Sequence, residues 1–443
     1  MRIQLSDHFT YQRLIRFVMP PILMMICTSL YSIVDGFFVS NYVGKTPFAA
    51  VNLVMPVCMG FGAIGIMMGT GGSALVSKML GEGKHKEAKE CFSLLVYFTV
   101  GLSLVLSLVA VIFAEPISKA LGAKGELLVN CVLYIRILSI SLPSFVLQNM
   151  FQSFCVAAEK PSLSLRVSIV AGITNMILDY LFIVVFHWGL AGAAVATVTG
   201  ELIGGIVPLA YFIRKNDSLL QLGKTKFRVR TLGRAFGNGS SEMVTQLSVS
   251  IVNILYNFQL MRFAGENGVA AYGIVMYVNF VFMAINFGYA IGSSPVVSFH
   301  YGAGNHKELK NLLQKSITLM AACGIGLTFM AEALNVPLVS MFASYDEELL
   351  AMTCRGFRSY ALAFCVMGLN VWGSAFFTAL GNGAVSAVIS FLRTLVFQVV
   401  MVFLLPYFWG IDGIWLAIVA AEFLALCCTV GFLLRNRKRY HYA

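Results

Sequence analysis

The sequence predicts an all-α integral membrane protein, with twelve transmembrane helices in two pseudo-symmetric six-helix lobes. Three observations carry this fold class. Of the 443 residues, 58% are hydrophobic and only 12% charged. The lysines and arginines between the apolar stretches alternate in density from one connection to the next. A motif in the first half recurs at half the chain length.

The spans follow one another with little chain left over. A helix needs about 20 mostly apolar residues to cross the hydrocarbon core. Such stretches lie near 14–40, 47–72, 91–114, 129–155, 163–187, 190–213, 236–262, 268–292, 313–335, 356–380, 384–409 and 412–434. The first, Val18 to Asn41, is too long for the apolar core of a signal peptide, and no small-residue cleavage site follows it, so it is a span. Pro20 and Pro21 near its start free backbone carbonyls and permit a bend there. The longest polar connection, 214–235, is basic and too short to hold a core. It divides the chain into an N-terminal lobe (1–213) and a C-terminal lobe (236–443), with no soluble domain to carry chemistry.

Placing the N-terminus in the cytoplasm puts 24 of the 31 lysines and arginines on that side. They include Arg13, Arg16, Lys84, Lys86, Lys160, Lys215, Arg230, Lys307, Lys310 and Arg437. Seven remain for the other face, among them Lys45, Lys119, Arg262 and Arg355. The net charge of +11 is therefore a topology signal and not a nucleic-acid surface. Both termini are expected in the cytoplasm of a cell that holds the protein as a multi-pass component of its membrane. A cysteine introduced near Ser218 should be labelled only from the cytoplasmic side, and one near Tyr345 only from outside. Labelling of both from one side would overturn the twelve-span arrangement. The ten native cysteines form no CxxC pair and no metal-spaced cluster, so they are read as small apolar packing groups.

The repeat is visible by eye. "SALVSKMLGEGKHKEAKE" (73–90) and "SPVVSFHYGAGNHKELKN" (294–311) share Ser77/Ser298, Gly81/Gly302, Gly83/Gly304, His85/His306 and Glu87/Glu308 at a constant offset of 221. The same shift pairs Gly44 with Gly265, Asn149 with Asn370, Gly189 with Gly410 and Glu201 with Glu422. Six spans per half give both halves the same orientation, related by a pseudo-two-fold axis along the membrane normal. Two such lobes around a central cavity suit alternating access. Nothing resembles a channel filter or a ring of repeated charges.

Two residues break the symmetry. Asp35 maps onto Tyr256 and Asp179 onto Val400, so both mid-span aspartates belong to the N-lobe alone. A carboxylate at helix centre costs about 2.5–3.5 kcal/mol on insertion scales. Each has a polar residue on the same face one turn earlier, Tyr31 and Asn175. Two carboxylates side by side out of water do not both carry charge cheaply, so such a pair can take up and release a proton or hold a cation. The plainer reading is that each aspartate ties two helices by hydrogen bonds. Glu201 and Glu422, being symmetric, suit a structural role, although Glu201 could face the same lobe interior. Glu242 is read near a cytoplasmic helix N-terminus. His85 and His306 are read as solvated. The 21 methionines and 35 phenylalanines are mainly packing, and some line any cavity.

"LYSIVDGFFVSNYVG" in the first span, "NMILDYLFIVV" in the fifth and "GLAGAAVATV" in the sixth, within a 6+6 repeat, resemble the multidrug and toxic compound extrusion (MATE) family of cation-coupled antiporters, particularly its prokaryotic proton-coupled branch. The resemblance covers essentially the whole chain. It implies a secondary active transporter, not an enzyme, with no cofactor beyond a coupling ion, H+ or Na+. It also implies a coupling site on Asp35 and Asp179 with Tyr31, Asn175 and Thr197, and a substrate cavity to which Tyr134, Asn149, Glu201 and Glu242 contribute. Tyr180 stands where that branch commonly has a proline, which leaves the bend of the fifth helix open. The expected partners are small organic cations and membrane lipids, for a protein acting as a monomer. A lipid-linked oligosaccharide flippase of the same superfamily would need basic residues in its cavity. Only Arg393 lies well inside a span, where it could snorkel to the cytoplasmic face. A membrane-embedded enzyme would need a nucleophile and a base at one depth, and no histidine lies mid-span.

Overall fold

The computed structural model describes residues 3–343 and 346–442, so the labelling position at Tyr345 lies outside the described residues. The N-lobe comprises α1 (Tyr11–Val43), α2 (Lys45–Gly81), α3 (His85–Ile112), α4 (Gly125–Ala157), α5 (Pro161–Val185) and α6 (Gly189–Ile213). The C-lobe opens with a helical run, Val229–Gly302, interrupted at Gly265, where φ is 62° and ψ −150°. The interruption separates α7 (229–264) from α8 (266–302). Next come α9 (His306–Ala333) and α10, which is two pieces, Glu347–Ala361 and Phe364–Ala379, bent by 49°. A last run, Gly383–Tyr440, is interrupted at Gly410 (φ 55°, ψ −132°), giving α11 (383–409) and α12 (411–440).

The duplication seen in the sequence is a duplication of backbone. Gly265 and Gly410 reverse the chain between two spans at a single residue in a positive-φ conformation that a side chain resists. Their counterparts Gly44 (φ 116°) and Gly189 (φ 57°) do the same in the N-lobe. The short helices Ala114–Ala120 and Asn335–Ala343, after α3 and α9, also begin 221 residues apart.

The basic connection is shorter than its composition suggests, because α7 starts at Val229 and residues 229–235 are its first turns. The stretch before it is strapped to α3. Leu220 is fully buried. The Gly223 amide donates to Ser93 Oγ at 3.0 Å, and Thr225 Oγ1 donates to the Glu90 carbonyl at 2.8 Å.

The lobes meet where α1 and α2 cross α7 and α8, at the end of the bundle that carries the basic loops. Six glycines allow the backbones this close. A Cβ on Gly81 would lie 2.0 Å from the Phe299 carbonyl oxygen, and one on Gly302 would lie 2.1 Å from that of Lys78. Position 81 maps onto 302 and 78 onto 299, so this is one contact made twice. Gly71 and Gly239 press on each other's backbone, and Gly292 receives Val18 at the equivalent place. Gly288 receives Ile22 and the Pro21 carbonyl, so the proline pair of α1 sits at the interface within a continuous helix.

The segment before α1 spans both lobes on this face. Leu5 and Phe9 are fully buried. The Leu5 amide donates to Glu159 of the N-lobe at 2.7 Å, and the Phe9 amide donates to Glu308 of the C-lobe at 2.9 Å. Asn311 and Lys315 donate to the Phe9 carbonyl, and the Phe9 ring meets Phe17 edge-on with centroids 5.7 Å apart. Truncation of a buried Phe to Ala costs about 3 kcal/mol. Phe9→Ala should therefore speed hydrogen exchange at the Leu5 and Phe9 amides by roughly two orders of magnitude. Unchanged protection, measured by mass spectrometry, would show that the segment is not held by this ring.

Candidate functional site

Each site aspartate sits where regular helix gives way to a wider turn. In α1 the regular helix ends at Phe38, just past Asp35, and continues as a π turn over Val39–Val43. In α5 it ends at Asp179 itself, and a π turn covers Tyr180–Val185. Such turns are common at functional positions. The bend left open at Tyr180 is thus a local widening, in which the residue at 180 keeps its helical backbone (φ −58°, ψ −47°).

The two carboxyl groups are neighbours within the N-lobe. Two carboxylates are both acceptors, so a hydrogen bond between them forms only when a proton is shared. Asp179 is fully buried. Among the described residues, no donor reaches Asp35 Oδ1 or either oxygen of Asp179. Asn175, one turn before Asp179, is buried with its Oδ1 also without a partner. The site is therefore rich in oxygen atoms and short of donors, which is what a proton or a small hard cation satisfies.

Around this pair the N-lobe gathers further groups. The Tyr31 ring lies over Gly172, where a Cβ would come within 2.9 Å of it, and the tyrosine stands beside Asp35, Glu201 and Gln148. Tyr134, buried, stands within electrostatic reach of Asp35, Asp179, Glu201 and Cys58. Glu201 accepts from Ser141 Oγ at 2.5 Å. Sequence reasoning missed Ser141 and Gln148, although their seven-residue spacing on α4 puts both on the face that meets α6. Gln148 fills the hollow at Gly204, where a Cβ would lie 2.4 Å from its Cδ.

For three other expected members the hydrogen bonds or charged neighbours lie elsewhere. The Thr197 hydroxyl donates to its own helix at the Ala193 carbonyl, 3.1 Å away. Asn149 donates to the Phe145 carbonyl at 2.9 Å and packs its Cβ at Gly65 of α2, so it serves the α2–α4 contact. Glu242 is in the C-lobe near Arg393. It is well inside α7, which begins at Val229, so a helix N-terminus does not account for it.

The C-lobe also corrects the reading of Arg393 and Glu422. Arg393 does not snorkel; it is 6% exposed, and its Nε lies 2.9 and 3.1 Å from the two oxygens of Glu422, itself 1% exposed. Asn370 Nδ2 donates to the same carboxylate at 2.8 Å, and Thr429 donates to Asn370.

A duplicated six-helix lobe, with the Asp35–Asp179 pair set inside its N-terminal copy and absent from the other, is the frame of a two-lobe membrane transporter. A family model described as MatE matches residues 20–181 and again residues 243–404, one match in each lobe. The chain belongs to this family, the MATE transporters that its motifs resemble, and the family is one of transporters, not enzymes. It is 22% identical over 434 residues to the multidrug export protein MepA of Staphylococcus aureus (strain MRSA252), covering 96% of this chain and 94% of that protein. The MepA of Staphylococcus saprophyticus subsp. saprophyticus is 21% identical over the same length and coverage. Among solved structures, a crystal structure of MATE in the straight conformation superposes with a TM-score of 0.91 at 21% identity, covering 98% of this chain and 97% of that one. A MOP superfamily transporter from Pyrococcus furiosus Vc1 (DSM3638), whose binding pocket is described as having reversed polarity, superposes at 0.90 with 22% identity over 98% and 96%. These structural likenesses are of fold.

Proposed function

We propose that the protein is a secondary active multidrug efflux transporter that exports lipophilic organic cations in exchange for protons or Na+ by alternating access. The observation that carries this reading is the Asp35–Asp179 pair, with Asp179 fully buried, Asp35 half-buried and three of the four oxygens without a donor, replaced by Tyr256 and Val400 in the other lobe. Such a pair binds a proton or cation in exchange for a competing positive charge, and competition of that kind couples an inward ion to an outward substrate. Tyr31, Asn175, Tyr134 and Glu201 surround the pair, and Glu242 adds negative charge from the C-lobe. Aromatic and methionine side chains suit greasy cations through cation–π and adaptable packing. The printed activity of the MepA relatives, multidrug export, supports the same reading. The protein sits in the cell membrane with both termini cytoplasmic and works as a monomer among its lipids, and the close inter-lobe contacts then lie on the cytoplasmic half. The flippase reading loses its one basic residue, since Arg393 is bound to Glu422.

Expression in a strain lacking its major efflux pumps should raise tolerance to lipophilic cationic dyes and antibiotics several-fold. Protection confined to anionic compounds, or a defect limited to envelope synthesis, would point to the flippase. Proteoliposomes under an imposed pH gradient or an imposed sodium gradient, tested separately, identify the ion.

A further inference from the structure

Glu201 and Glu422 are the same residue of the repeat in opposite electrical surroundings. Glu422 is held by a guanidinium through both of its oxygens, by Asn370, and through Asn370 by Thr429. The position equivalent to Arg393 in the N-lobe is Gly172, and the Tyr31 ring occupies the space where a side chain would go. Glu201 accordingly has a hydroxyl, Ser141, and no cation among the described residues, and it stands near Asp35. The other groups facing these side chains do not alter the contrast. Tyr256 of α7 and Tyr360 of α10 stand near Glu422, and Glu242 of α7 stands near Arg393. Tyr31, Tyr134 and Cys58 stand near Glu201.

We propose that Arg393 is the residue that confines ion exchange to the N-lobe: it keeps Glu422 ionised throughout the transport cycle, while Glu201, lacking such a partner, joins Asp35 and Asp179 as a third exchanging carboxylate. The chemistry is acid–base only. A carboxylate bonded to a permanently charged guanidinium has its negative charge satisfied and takes no proton, whereas one facing a hydroxyl and other carboxylates does. Arg393 is thus a positioning residue for charge, acting through Glu422. One arginine adds to the difference between the lobes that Tyr256 and Val400 already make.

This inference rests on the proposed N-lobe exchange site, and the test separates the two. Five proteins are compared in sodium-free medium: wild type, Arg393→Gln, Arg393→Lys, the neutral pair Arg393→Gln/Glu422→Gln, and Asp35→Asn. The readouts are the infrared carbonyl band of protonated carboxylic acids and gradient-driven ethidium efflux from proteoliposomes. Arg393→Gln should gain one protonated acid relative to wild type. The double variant should lose that acid, keep the hydrogen bonds of the pair, and transport with wild-type gradient dependence. Arg393→Lys, which keeps the charge, should gain no acid and guards against a simple folding defect. An Arg393→Gln protein without the extra band, or a neutral pair that has lost gradient dependence, would overturn the proposal. Gradient dependence surviving in Asp35→Asn would instead remove the N-lobe reading itself.

Discussion

Asp35→Asn and Asp179→Asn should each reduce gradient-driven efflux by more than roughly tenfold, to the rate of passive leak, since a loss of coupling of 1.4 kcal/mol or more is at least that factor. Expression and thermal stability should stay near wild type. The amide keeps the shape of the carboxylic acid, and its NH2 donates to the facing aspartate, so each variant imitates the state in which one proton is held between the two. That state no longer exchanges. Tyr256→Phe and Val400→Ile supply the internal control at the symmetric positions. There the C-lobe has Tyr256 stacked on Tyr272 with ring centroids 5.1 Å apart and Val400 half exposed, side chains that pack and carry no charge. Counterflow and gradient-driven uptake in proteoliposomes check the prediction. Uphill transport by Asp35→Asn at a near wild-type rate would make the aspartate a tie between helices and nothing more.

The second large effect is expected at the reciprocal glycine contact. Gly81→Val and Gly302→Val should each cut transport by about tenfold or more while leaving both lobes folded. A Cβ only 2.0 or 2.1 Å from a carbonyl oxygen forces the lobes to separate at that end by about an ångström. The closed arrangement is what is lost, because the glycines face the other lobe and not their own. Gly→Ala should show a smaller effect in the same direction. The check is thiol labelling at Ser77→Cys, whose native side chain is fully buried, in otherwise cysteine-free protein. Labelling should rise sharply in the valine variants. Wild-type transport with an unlabelled thiol would mean that the backbone accommodates the side chain without opening.

Much of the architecture was legible because membrane insertion imposes it. Length, hydropathy and the constant offset are properties of the chain as written, and Gly44, Gly189, Gly265 and Gly410 marked the reversals between spans as repeat identities. Asp35 and Asp179 were legible because a mid-span carboxylate is expensive wherever it points. Polar residues of low cost were not. A threonine or asparagine in a helix can bond the carbonyl four residues back, as Thr197 and Asn149 do, and nothing in the sequence distinguishes that from pointing at a site. The partner of Arg393 was equally hidden, since Glu422 is 29 residues away on the next helix and a lone arginine inside a span reads as snorkelling. The N-terminal segment was invisible for another reason. Its burial depends on a turn at Glu159 and a helix start at Glu308, from opposite lobes.

The contact in which Gly81 meets Lys78's symmetry mate Phe299, and Gly302 meets Lys78, is the arrangement found where two identical subunits associate, each giving the same patch and receiving it. The protein therefore has the anatomy of a dimer made covalent. In a true homodimer every substitution appears on both sides of the axis, so an arginine beside one glutamate would stand beside the other as well. Fusion lifts that constraint. It lets Gly172 and Arg393 occupy equivalent places at the same time, and the two halves can diverge in charge while the seam between them stays self-complementary.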